Sequence, residues 1–276
     1  MNQGLKKALI GFFIPAAAVV LASMVNIWLG LAAFAIYIVI LLYTSRVMLY
    51  TVIGSRNYSQ GKTEEALKWF KRAYDSKKAG IRASVSYAYI MLKNTDTVGA
   101  EEILRKLIKD HPSSDDVPYV KSILALVLWK KGELDAATEM LQEVTQTYKT
   151  TSVYGSLGYM LILKGDLEKA LQFNLEAYEY NSSDKIIRDN LGQNYYLLGM
   201  YDKSREIYEP LIAAAPTFPE PYFNYGLLLE KTGDPAAGLE MMKKALQYKF
   251  SYLSSISRED VESKIQETSA SLKTVE

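Results

Sequence analysis

Small residues recur in this chain at a nearly fixed interval. They stand at Ala66, Ala100, Ala137, Ala170, Ser204 and Gly238, spaced 34, 37, 33, 34 and 34 residues apart. A second small series lies upstream in apolar runs: Gly54, Ala88, Ala125, Gly158, Gly192 and Gly226. A period of this length marks a stacked-repeat architecture, in which each unit needs its neighbours to bury its faces. Small side chains at paired positions let two helices approach closely. Six stacked helical units are therefore expected. Tyr50, Phe70, Tyr154, Tyr195, Tyr208 and Tyr222 fill the spaces between helices, which explains many of the 21 tyrosines as packing.

Three stretches show the repeat most clearly. They begin at Gly61, Gly165 and Gly233, and each carries a small residue five positions on, at Ala66, Ala170 and Gly238. These lines resemble the tetratricopeptide repeat. That family has a small residue at repeat position 8, often glycine at 15, alanine at 20, an aromatic or apolar residue at 24 and proline near 32. Pro112 and Pro216 match the terminal proline. The resemblance implies six helix-turn-helix repeats at about 47–80, 81–114, 118–150, 151–184, 185–218 and 219–252, with local departures: Thr95 replaces the glycine in repeat two, Asp115–Val117 precede repeat three, and position 27, small in the family, carries Leu107, Val144 and Leu211 in repeats two, three and five. The resemblance implies an all-α solenoid. Residues 253–276 are expected to form a C-terminal capping helix, with Ser257 as its cap, Glu259 and Asp260 in its first turn, and a thin stripe of Val261, Ile265 and Leu272.

The remaining segment, 1–46, has a different chemistry. No charged residue occurs from Ala8 to Ser45, and the first acid of the chain is Glu64. A net charge of +1 thus averages a basic, apolar head and a mildly acidic body. A membrane-crossing helix needs about 20 apolar residues, so the 38-residue stretch accommodates two short spans. The expectation is a transmembrane hairpin: a first span over about Ala8–Val25, a turn near Asn26–Gly30, and a second span from Leu31 to about Tyr43. Pro15 lies inside the first. Lys6 and Lys7 before it, and Arg46, Arg56 and Lys62 after the second, place both ends on the cytoplasmic side of a plasma (inner) membrane. A cleaved leader ending near Ala22 is the rival reading. Between Leu31 and Ile53 there is neither glycine nor proline, so the second span is expected to run unbroken into repeat one as a helix ~45 Å long. A break near Thr44–Ser45 is the alternative.

The composition narrows the chemistry. The chain has no cysteine and one histidine, which excludes thiolate metal sites, cysteine nucleophiles and multi-histidine centres. His111 stands beside Pro112 at a repeat end and reads as a solvated turn residue. No phosphate-binding loop, calcium-loop spacing or basic nucleic-acid surface is evident. No catalytic residue, metal ligand or cofactor is therefore assigned, and the expected partners are a membrane and protein segments.

The resemblance places groove-facing side chains at repeat positions 2, 5, 6, 9, 12 and 13. Here these include Arg82, Tyr89, Tyr119, Ser122, Trp129, Tyr159, Asp189, Asn190, Gln193, Phe223 and Asn224. Rings offer contact area and amides bond peptide backbone, a combination suited to an extended peptide or partner helix. The lysine and asparagine set with which some relatives grip a C-terminal carboxylate is missing. The reading is a membrane-tethered scaffold or adaptor. An extracytoplasmic assembly factor and a regulatory subunit of a membrane enzyme are the alternatives.

Overall fold

A computed structural model describes residues 11, 13–76 and 79–275. Among these are fifteen α-helices, and the chain divides into two compact units, one ending at Tyr87 and the other beginning at Ala88. Lys6, Lys7 and the start of the first expected span, Ala8–Ile10 and Phe12, lie outside the described residues.

The first unit opens with α1 (Ile14–Val25) and α2 (Ile27–Thr44). One extended residue, Asn26, joins them, and its side chain accepts from the Trp28 N–H at 2.8 Å, capping α2. The two helices fold back on each other: a Cβ on Gly30 would run into the Ser23 side chain, and the Tyr37 hydroxyl donates to the Gly11 carbonyl at 3.3 Å. Pro15 sits in the first turn of α1, a position at which proline is well tolerated. Gly30 alone among the residues of α1 and α2 is buried, and large apolar side chains such as Met24, Trp28 and Ile36 are exposed.

Two spans were expected, but among the described residues one helix, α2, is long and apolar enough to cross a membrane. The 12 residues of α1 reach ~18 Å, well short of a ~30 Å hydrocarbon core. Nor does α2 run unbroken onward. Ser45, at φ −92° and ψ 4°, separates it from α3 (Arg46–Ser59). The physical reason lies in the side chains. The Thr44 hydroxyl donates back to the Ile40 and Leu41 carbonyls, a pattern that bends helices. Arg46 folds over the Tyr43 ring and donates to the Tyr43 carbonyl at 2.8 Å, capping the end of α2. Repeat one pairs α3 with α4 (Thr63–Tyr74), whose Ala66, Phe70 and Ala73 are buried. Gly54 receives the Phe70 ring, and a Cβ there would lie 3.0 Å from it.

The second unit starts within α5 (Ile81–Lys93) and continues through α6 (Thr97–Asp110), α7 (Val117–Lys130), α8 (Leu134–Thr147), α9 (Thr151–Leu163) and α10 (Leu167–Tyr180). Then follow α11 (Lys185–Leu197), α12 (Tyr201–Ala213), α13 (Glu220–Lys231), α14 (Pro235–Ala245) and α15 (Arg258–Val275). One local device ends the first helix of each repeat. Position 15 adopts positive φ at Gly132, Gly165, Gly199 and Gly233, as Gly61 does in the first unit, and Thr95 adopts it too, at 70°. In repeats two, four and six an aspartate follows and caps the second helix: Asp96 accepts from Gly99, Asp166 from Lys169, and Asp234 from Ala237.

The paired small positions bring the helices into contact. Ala88, Ala100, Ala125, Ala137 and Ala170 are fully buried. The Ser204 hydroxyl donates to the Gly192 carbonyl at 2.8 Å, and a Cβ on Gly238 would lie 2.7 Å from the Gly226 carbonyl. Phe70, Tyr154, Tyr195, Tyr208 and Tyr222 are buried, as a packing role requires. The larger residues at position 27 are absorbed as well, with Val144 and Leu211 both buried.

Beyond α14, α15 packs back on repeat six. Ser257 caps it, accepting from the Asp260 N–H at 3.0 Å while the Asp260 carboxylate accepts from the Ser257 N–H. Val261 is buried against Tyr222, Phe223 and Met242. Thr268 and Lys264 both engage Glu230 of α13, at 3.1 and 3.2 Å.

Candidate functional site

First helices of successive repeats lie side by side in the second unit. The Trp129 ring of α7 meets the Tyr159 ring of α9 edge-on, centroids 5.6 Å apart. Asn190 of α11 donates to the Gly155 carbonyl of α9 at 2.7 Å. Asn224 of α13 donates to the Asp189 carboxylate of α11 at 3.1 Å.

These bonds sort the eleven expected groove residues. Asp189, Asn190 and Asn224 are buried, and they tie neighbouring repeats together. Asp189 at position 5 accepts from the following first helix, while Asn190 and Asn224 at position 6 donate to the preceding one. Ser122 is buried and donates to the Tyr119 carbonyl of its own helix at 2.7 Å. Phe223 is buried in the cluster that receives α15. Tyr89, Tyr119, Trp129, Tyr159 and Gln193 are half-buried. Tyr119 lies beside Tyr148, and Tyr89 beside the Lys93 ammonium. Arg82 belongs to the first unit, where it is exposed on the first turn of α5. His111 is exposed at the end of α6.

Asp189 is the most perturbed carboxyl here. Burial pushes its pKa up to about 7, with Glu220 adding to the rise, while hydrogen bonds from Asn224 and Tyr208 oppose it. The Tyr208 hydroxyl donates to the carboxylate at 3.1 Å and is itself raised by burial. Nearby, Asn174 is fully buried at a position where the other repeats carry Phe70, Leu104, Leu141, Tyr208 and Met242. It donates to Asn194 at 3.1 Å, and its own carbonyl oxygen has no hydrogen-bond partner.

Two further residues escaped the sequence reading, although both obey its positional rule. Lys130 occupies position 13 of repeat three, and Glu220 position 2 of repeat six. Between them lies a segment from the far end of the chain. Lys130 donates to the Ser254 carbonyl at 3.4 Å, and its ammonium stands over the Trp129 ring at 4.1 Å and the Tyr252 ring at 5.1 Å. Tyr159 donates to the Ser255 carbonyl at 3.5 Å. Glu220 accepts from the Ser255 N–H at 3.1 Å. Burial lowers the Lys130 pKa against the pull of Glu220, and burial raises that of Tyr159. The constellation offers donors to carbonyls, an acceptor to an amide and two aromatic walls, which is the chemistry of backbone recognition.

Two tetratricopeptide repeat models match the chain, one over residues 83–114 and one over 219–252. A TPR repeat-containing protein of Methanocaldococcus jannaschii is 23% identical over 60% of this chain, which spans 29% of that protein's length. Among solved structures, a tetratricopeptide repeat protein from Parabacteroides merdae aligns with a TM-score of 0.64 at 13% identity, covering 92% of this chain and 98% of that one. Pseudomonas aeruginosa pilF aligns with a TM-score of 0.58 at 15% identity, covering 74% and 92%. At such identities the likeness is one of fold.

Proposed function

The chain is a tetratricopeptide repeat protein, and from that premise we propose that it works as a membrane-tethered scaffold that binds protein segments along its first helices. The observation that carries this reading is the face formed by Trp129, Lys130, Tyr159 and Glu220, whose polar groups are directed at peptide backbone. The half-buried Tyr89, Tyr119 and Gln193 extend the proposed surface. Asp189, Asn190 and Asn224 shape it from within.

The apolar, exposed α2 supports a tether. In this reading residues 1–46 form an anchor of two short spans. Residues 47–252 form the array, and 253–276 its cap. Both termini lie on the cytoplasmic side of the plasma membrane, following the basic flanks. Tethering raises the local concentration of bound segments without any new contact.

In-cell photo-crosslinking tests the groove. A photoreactive residue in place of Trp129 or Tyr159 is expected to yield discrete partner adducts, whereas one at exposed His111 is not. Adducts absent from both groove positions of a folded, membrane-bound chain overturn the groove. Protease added outside intact cells tests the topology, and digestion of the array would move it to the other side.

A further inference from the structure

The segment between α14 and α15 lies where a partner would. Residues 251–257 are all half-buried. The segment is a formed turn, not an extended strand: the Ser254 N–H donates to the Ser251 carbonyl at 2.9 Å, the Ser251 hydroxyl accepts from Leu253, and the Ser254 hydroxyl accepts from the Ser251 N–H. The serine hydroxyls thus hold its shape locally. On one side Tyr248, Phe250 and Ile256 pack against the cluster of repeat six. On the other, the backbone of Ser254 and Ser255 is read by three side chains from three different first helices, Lys130 of α7, Tyr159 of α9 and Glu220 of α13. A loop that only linked two helices would need none of these contacts, which join residues up to 124 positions apart.

We propose that the first-helix face of repeats three to six is a site for an uncharged, serine-rich turn bearing an aromatic side chain, and that Ser251–Ser255 is its resident occupant, which a partner of the same chemistry must displace. The recognition is of backbone. Lys130 and Tyr159 bind two successive carbonyls, and Glu220 binds the amide between them. The small serine side chains let the backbone approach, and the Tyr252 ring closes over the Lys130 ammonium. An acidic segment is disfavoured, because it would place negative charge beside the buried Glu220. This inference rests on the groove reading above and adds that the groove is closed at rest. The apparent affinity of a partner is then its intrinsic affinity reduced by the open fraction.

The test uses the full chain and a fluorescent synthetic peptide spanning residues 247–258. Ser255→Pro removes the N–H that Glu220 accepts and leaves every groove side chain in place. The peptide is expected to bind this variant about tenfold more tightly than the wild type, and adding Lys130→Ala is expected to abolish the gain. Equal binding to both proteins, or no binding to a Ser255→Pro chain that melts like the wild type, overturns the resident occupant. If partner adducts at Tyr159 persist in that case, the groove reading stands without it; if both fail, the groove falls as well. Native-state hydrogen exchange of the wild type supplies a second measure. The Ser255 amide is expected to exchange through a local opening, faster than Val261 and Thr268 of α15. Exchange of all three only through one common unfolding overturns the proposal.

Discussion

Thr95 is the residue where the repeat departs furthest from its own steric rule. The position ends the first helix of a repeat in the left-handed region, which glycine occupies freely, while a residue with a Cβ incurs about 1–2 kcal/mol. Thr95 is exposed, so its side chain offers little packing in return. Thr95→Gly is expected to stabilise the protein by about 1 kcal/mol, read as a higher urea midpoint at unchanged slope. A lower midpoint would mean that the threonine holds the turn through its side chain.

Asp189 presents the second test at this scale. Its folded pKa of about 7 lies above the ordinary 3.8, so the folded protein holds that proton more tightly than the unfolded chain. Its contribution to stability is therefore fully present below about 3.8 and is lost as pH rises to about 7, with a slope of at most ~1.4 kcal/mol per pH unit between them. In Asp189→Asn the amide oxygen still accepts from Tyr208 and Asn224, and no proton is exchanged. The difference in unfolding free energy between variant and wild type is expected to grow in the variant's favour from pH 4 to 8. Parallel pH profiles would show that Asp189 titrates as an ordinary carboxyl.

At the scale of elements, small residues stand where the two helices of a repeat approach closely, because close approach is a steric demand written at single positions. Its strictness varies. Alanine suffices at Ala137, but α13 and α14 come so near that a Cβ on Gly238 would meet the Gly226 carbonyl at 2.7 Å and the Glu230 amide nitrogen at 3.1 Å. Backbone cannot yield as a flexible side chain can, so Gly238→Ala is expected to cost about 1–3 kcal/mol. A thermal midpoint within a degree of wild type would mean that the two helices can separate. The break at Ser45 was harder to read. Neither glycine nor proline marks it; at the end of α2 the Thr44 hydroxyl donates to the Ile40 and Leu41 carbonyls and the Arg46 guanidinium to that of Tyr43.

For the molecule as a whole, the proposed membrane tether rests on the apolar, exposed α2. Large side chains such as Ile36 and Val39 stand exposed on α2. A lysine at the centre of a membrane span costs about 2.5–3.5 kcal/mol, so Ile36→Lys is expected to reduce co-flotation of the full chain with lipid vesicles. Flotation equal to wild type would show that α2 does not cross the bilayer.

The amino-acid sequence by itself determined the repeat register, the helix pairs and the turn glycines, because each follows from the size of one side chain or the sign of one φ. It also set apart the apolar head, since a charge-free stretch needs no tertiary context to be recognised. Only the tertiary structure decided what the groove positions do. Asp189, Asn190 and Asn224 have the chemistry of a peptide-binding surface, yet their bonds go to neighbouring helices of the array. The same holds for the turn at Ser251–Ser255. Its contact with Lys130 depends on the accumulated rotation of four stacked repeats, a sum over the whole array that no local rule contains.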